Sequence, residues 1–172
     1  PGVWDPMQVD LDELAMFHAL VGTGIAEEHE AFAVVNAQER DTSLLIVKGG
    51  QLYAMRCIRI GTFAVTHGHA TDEAAAEGLD HDIEVARTHE SLTRLSREVR
   101  RTLTTLPGLE DLECVYITGS GSLLPGFDEA MGKLFSCPVE PLDFLDHVDH
   151  QLDEDEARKF GPDIGAALGM AY

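Results

Sequence analysis

Positive charge is scarce in this sequence. Twelve Lys and Arg stand against 31 Asp and Glu in 172 residues, a net charge of −19 with histidine neutral. A surface of that sign repels nucleic-acid phosphates and anionic lipid headgroups, which argues against a nucleic-acid binder and against a protein held on a membrane by charge alone. Long apolar runs are missing too. None approaches the roughly 20 residues that cross a bilayer, so no direct membrane insertion is expected. Cysteine is sparse: Cys57, Cys114 and Cys137 make an odd count, with no two at metal-ligand spacing. They read as three reduced thiols of an intracellular protein. Repeats and low-complexity tracts are absent, and a composition of 44% hydrophobic and 25% charged residues is that of one globular domain with a sizeable core. The chain opens on Pro1, without methionine or a signal peptide, and reads as a piece of a longer protein.

What is present is an ordered series of helix and strand signals. Residues 10–21 carry Leu11, Leu14, Phe17, His18 and Val21 at helical spacing, with acids in the first turn and Gly22 past the end. Three strand-like runs follow, 31–36, 43–48 and 51–60. Gly49 and Gly50 suit a two-residue hairpin turn, and residues 38–41 turn the first hairpin, so the three runs form an antiparallel meander. Residues 66–82 are small and polar, a loop or a weak short helix. Leu92, Leu95, Val99, Leu103 and Leu106 then predict a long helix over 82–106, closed by Pro107 and Gly108. Five of the 12 basic residues lie on it, and Arg94, Arg97 and Arg101 share one stripe, read as a solvated face.

A short strand, 114–117, runs into Thr118-Gly119-Ser120-Gly121-Ser122. A helix starts near Pro125, a further strand covers 137–142, and 143–159 is an acidic loop with room for a short helix. Residues 162–172 form a closing helix opened by proline. Its Gly165, Ala166 and Gly169 leave a smooth face for packing on the sheet or on a missing domain. The order predicts an α/β fold: a mixed sheet with an antiparallel three-strand meander plus parallel strands, covered by helices.

The residues from Val115 to Phe144, with their Gly-Ser-Gly turn, Leu-Pro-Gly-Phe helix start and Pro-Val-Glu strand, resemble the adenosine-motif segment of the PilM/FtsA branch of actin-like proteins. The stretches 43–61 and 160–172 resemble that branch's hairpin and closing helix. The likeness runs from about Val9 to Tyr172 and is stronger to PilM-like proteins than to FtsA. It implies an actin-like (ribonuclease H-like) ATPase fold, with 1–172 as a single lobe, the second of two, and the first lying upstream. PilM-like proteins are cytoplasmic members of the inner-membrane platform of type IV pili and bind the tail of a bitopic partner, PilN. A related type II secretion protein has a similar fold. The same role and partners are what the resemblance implies here, at the inner face of the inner membrane.

In that family a motif of the form Asp-x-Gly-x-x-x-Thr at the first hairpin holds hydrated magnesium and phosphate. The matching residues are Asn36, Gln38 and Thr42. Asn36 lacks the carboxylate charge, and the Gln38 side chain crowds the backbone approach that glycine permits. Glu39 and Asp41 add like charge beside any phosphate. The adenosine-facing turn, Gly119, Ser120, Gly121 and Ser122, keeps its glycines, which any strand-to-helix turn would also want. A degenerate nucleotide site built from Asn36, Thr42 and residues 119–122 is therefore expected, with no catalytic residue, no metal and no required cofactor. The expected role is a pseudo-ATPase scaffold working by protein–protein contacts. The alternative is an ATP-binding ATPase or kinase half that closes on Mg-ATP with its missing domain.

Three other constellations are weaker. His67, His69, Asp72, His81 and Asp82 could gather a transition metal, making a small metal-binding adaptor, but no third ligand lies at a fixed spacing and a solvated polar loop is the favoured reading. His147 and His150 have i, i+3 spacing for a helical metal pair. Ser120 and Ser122 do not sit in the Gly-x-Ser-x-Gly elbow of hydrolases, and no His-Asp pair is placed to activate either.

Overall fold

The computed structural model describes residues 11–62, 81–106, 109–153, 155–157 and 161–171, the side chains of 81–89 and 91 excepted. Helix α1 spans Asp12–Gly22, followed by a 3-10 turn at Ile25–Glu27. Strands β1 (Ala31–Ala37), β2 (Thr42–Lys48) and β3 (Gln51–Ile58) form the meander, and α2 covers His81–Leu103. Then come β4 (Cys114–Thr118), a 3-10 turn at Ser120–Leu123, α3 (Phe127–Gly132), β5 (Val139–Pro141), 3-10 turns at Phe144–His147 and Gly161–Asp163, and α4 (Gly165–Gly169).

The sheet order is β3-β2-β1-β4-β5. β1 pairs antiparallel with β2 and parallel with β4; β2 and β3 are antiparallel, and β4 and β5 parallel. β1 is the middle strand and every residue of it is buried. Its nearly unbroken apolar run is what a strand covered on both faces requires. Gly49 and Gly50 both have positive φ, 54° and 70°, which lets the β2–β3 turn follow the sheet's twist.

Alternate residues feed two cores. Ala33, Val35, Leu44, Ile46, Val115 and Ile117 meet Leu95 and Val99 of α2 and Phe127 and Met131 of α3. Phe32, Val34, Leu45, Val47, Cys114 and Tyr116 meet Met16, Ala19 and Leu20 of α1 together with Phe144. The leucine stripe of α2 is buried as its spacing predicts.

The buried face of α1 differs from the one the leucine spacing suggested. Leu11 and Val21 are exposed, and the side turned inward is Ala15, Met16, Ala19 and Leu20. The reason lies at the other end of the chain. α4 packs on α1 so tightly that a methyl on Gly169 would collide with the carbonyl oxygen of Ala15, and one on Gly165 would meet Phe144 Cε2 and Met16 Sδ. Small residues were needed along that contact, so helix α1, rather than the sheet or another domain, receives the glycine face.

The remaining differences concern extent. β3 stops at Ile58 rather than 60, β5 is three residues, and the helix near Pro125 begins at Phe127. The closing helix is broken: Pro162 sits in a 3-10 turn and α4 starts at Gly165. All three cysteines are free; Cys114 is buried and Cys57 exposed.

Candidate functional site

β1 and β4 run parallel, so their C-terminal ends finish side by side, with Asn36 opposite Thr118. That juxtaposition brings the hairpin residues and the glycine turn to one corner, where parallel-stranded α/β sheets usually place their ligands. Gly119 has φ +84°; a side chain there would strike the Ala37 carbonyl and come within 2.6 Å of Asn36 Oδ1. Gly121 lies against Thr62, and its added methyl would stand 2.8 Å from Ala37 Cβ. The glycines are thus required by direct contact between the turn and the end of β1.

The polar groups of the corner are bonded to one another. Gln38 Nε2 donates to Asn36 Oδ1 at 3.0 Å. The Gln38 carbonyl accepts from both the Thr62 amide, at 2.9 Å, and the Thr62 hydroxyl, at 3.2 Å. Thr42 is fully buried and donates to the Ile60 carbonyl at 2.9 Å. In the turn, the Gly119 amide donates to Pro162 at 2.9 Å, and the Ser120 amide donates to the Asp163 carboxylate at 2.8 Å. The Ser122 hydroxyl donates to the Gly119 carbonyl at 2.8 Å. Thr118 Oγ1 lies 3.0 Å from the Leu142 carbonyl and 2.9 Å from that of Pro162, donating to both. Ser120 Oγ is buried without a hydrogen-bond partner among the described residues.

The electrostatics behind the hairpin are negative. Ser43 Oγ donates to Glu13 at 3.0 Å. The Cys57 thiol is pushed up, first by burial and then by the carboxylates of Asp41 and Glu13.

Asn36 and Gly119 are therefore neighbours, as expected, and Ser120, Gly121 and Ser122 form the 3-10 turn beside them. Thr42 is spent on Ile60. Sequence reasoning missed Thr62, Pro162 and Asp163. The closest signal was their position beside turn-forming glycines, Gly61 and Gly161, each of which leaves no room for a side chain.

The histidine constellations do not gain support. Residues 67, 69 and 72 lie outside the described residues, as do the side chains of His81 and Asp82. His147 ends a 3-10 turn and Val148 is extended, so His147 and His150 share no helix face. Among the described residues no group of three His, Cys, Asp or Glu could hold a metal ion. No described helix is long and apolar enough to cross a membrane.

No protein-family model matches the sequence, and no curated protein matches it. Solved structures do. A chain of the PilM-PilN type IV pilus biogenesis complex superposes with TM-score 0.79 at 23% identity, over 96% of this chain and 52% of that one. MreB5 of Spiroplasma citri bound to AMPPNP gives 0.60 at 11%, over 91% and 56%. The fold is actin-like. The ethanolamine utilization protein EutJ from Carboxydothermus hydrogenoformans gives 0.55 at 17%, over 89% and 52%. The present actin-like chain spans about half the length of each of these. The similarity to the chain of the PilM-PilN complex covers nearly the whole of this one.

Proposed function

We propose that this chain is part of a scaffold in the inner-membrane assembly platform of a type IV pilus or a related secretion system. It works by holding protein partners at the cytoplasmic face, with a nucleotide corner that has lost its chemistry. The observation that carries this reading is the amide pair Gln38–Asn36, closed over by Gly119 and Thr62. Magnesium prefers anionic oxygen ligands, and a neutral amide already engaged by another amide is a poor substitute. The turn amides of Gly119 and Ser120, which would otherwise be free for a ligand, are bonded to Pro162 and Asp163. The donor set does not fit a magnesium-bound triphosphate.

The similarity to a chain of the PilM-PilN type IV pilus biogenesis complex supports the choice of platform. The partner expected on that basis is the tail of a PilN-like bitopic membrane protein.

Isothermal titration of the full-length protein with Mg-ATP tests the reading, alongside titration with a synthetic PilN-like tail. Tail binding without sub-millimolar ATP binding is the expected result. Sub-millimolar ATP binding with steady hydrolysis would replace the scaffold by an ATP-binding actin-fold ATPase or kinase half.

A further inference from the structure

The last described segment of the chain touches two places at once. Its first turn, Gly161–Asp163, lies against the corner. The Pro162 carbonyl accepts from the Gly119 amide and from Thr118 Oγ1, each at 2.9 Å, and Asp163 Oδ1 accepts from the Ser120 amide at 2.8 Å. Gly161 is pressed on the Asp143 carboxylate. A few residues later α4 lies on α1, with Gly165 against Met16 and Phe144 and Gly169 against the Ala15 backbone. Ile164 and Leu168 rest partly buried on the core that α1 covers.

This segment has little order of its own. α4 is five residues long and the turn before it three. Isolated helices shorter than about 12–15 residues are marginal in water, so α4 persists because the corner holds one end of it and α1 the other. A segment that is held at two points and unstable alone docks and leaves as a unit. Its leaving frees the Gly119 and Ser120 amides, reduces Thr118 Oγ1 to its bond with Leu142, and bares the surface of Met16 and Phe144.

We propose that residues 161–170 are a strap that shuts the corner and takes its grip from α1. The strap has two states: docked, with the turn amides taken, and released, with them free. By linkage, a group that takes the Gly119 and Ser120 amides loosens α4 from α1, and whatever tightens α4 on α1 keeps the corner shut. The proposal needs neither a nucleotide nor a platform partner, so its failure leaves the scaffold reading where it stands.

The test follows hydrogen exchange of single amides in the full-length protein. In the unaltered protein the amides of Gly119, Ser120, Leu168 and Met170 are expected to share one opening constant, at least about tenfold larger than that of the wholly buried β1. Asp163→Ala is expected to raise the opening of Leu168 and Met170 about fivefold, although those amides bond to Ile164 and Ala166, and Asp163→Asn to raise it less. Gly169→Ala is expected to raise the opening at Gly119 and Ser120 by the same factor as at Leu168. Gly132→Ala, with nothing near its added methyl, leaves all four unchanged. If Gly169→Ala fails to fold, the two Asp163 variants decide alone. Different opening constants at the two ends, an opening shared with β1, or an Asp163→Ala effect confined to Ser120 overturns the strap.

Discussion

Thr118 and Ser120 are two hydroxyls of one turn with opposite energetic roles. Thr118 Oγ1 ties the end of β4 to the carbonyls of Leu142 and Pro162, and it is fully buried. Thr118→Val keeps the shape and removes the donor, stranding a buried acceptor. It is expected to cost about 1–3 kcal/mol in urea unfolding. Ser120 Oγ has no such partner among the described residues, so Ser120→Ala is expected to change stability by less than about 0.5 kcal/mol or to raise it. A large loss on Ser120→Ala would mean that the hydroxyl has a partner after all. At this scale the sequence was legible in which residues meet: it set Asn36 and the glycine turn in one corner, and Gly119 lies against Asn36. It was silent on Asp163 and Thr62, because a hydrogen bond across 43 residues of chain, like that from Ser120 to Asp163, leaves no local pattern.

Among the elements, the contact of α4 with α1 depends on glycine at a position where even one carbon is too many. Gly169→Ala is expected to lower stability by about 1–3 kcal/mol, since the backbone of Ala15 cannot move aside as a flexible side chain can. Gly132, exposed at the end of α3 with nothing near its added methyl, is the matched control. Gly132→Ala is expected to be neutral or stabilising by up to about 1 kcal/mol, and thermal melts of the two variants compare them directly. Strands β1 and β2 and the stripe of α2 were readable because one periodicity and one buried face coincide. The face of α1 was not, because leucine marks a buried side only when large residues are wanted there. Against a glycine helix the small alanines were the signal, and Leu11 and Val21 were left in solvent.

Over the whole molecule, a net charge of −19 sets folded chains against themselves. Salt screens that repulsion within about 10 Å at 0.1 M. Raising sodium chloride from low concentration is therefore expected to raise the melting temperature, and a flat response would show that local pairing already offsets it. Alkali acts in the other direction. Burial pushes the Cys114 thiol up from 9.0 to about 11, and burial, with Cys114 and Glu28 adding to it, pushes the Tyr116 phenol up as well. The fold favours the protonated forms, so their contribution is complete below the unfolded values and is lost as pH rises through the folded ones. Stability is expected to hold below about pH 9 and to fall towards pH 11, with Cys114→Ala flattening the fall; a series of melts across that range reads it.

The central place of β1 has a consequence for how the chain is made. Its antiparallel neighbour follows within a few residues, while its parallel neighbour β4 starts only at Cys114. At a synthesis rate of roughly 5–20 residues per second, the flank of β1 that β4 will cover stands open for on the order of 4–15 s on the ribosome. During that interval a strand destined to be entirely enclosed offers bare main chain to any passing polypeptide. A nascent chain halted shortly before residue 114 should accordingly recruit a holdase, and one released past β5 should not.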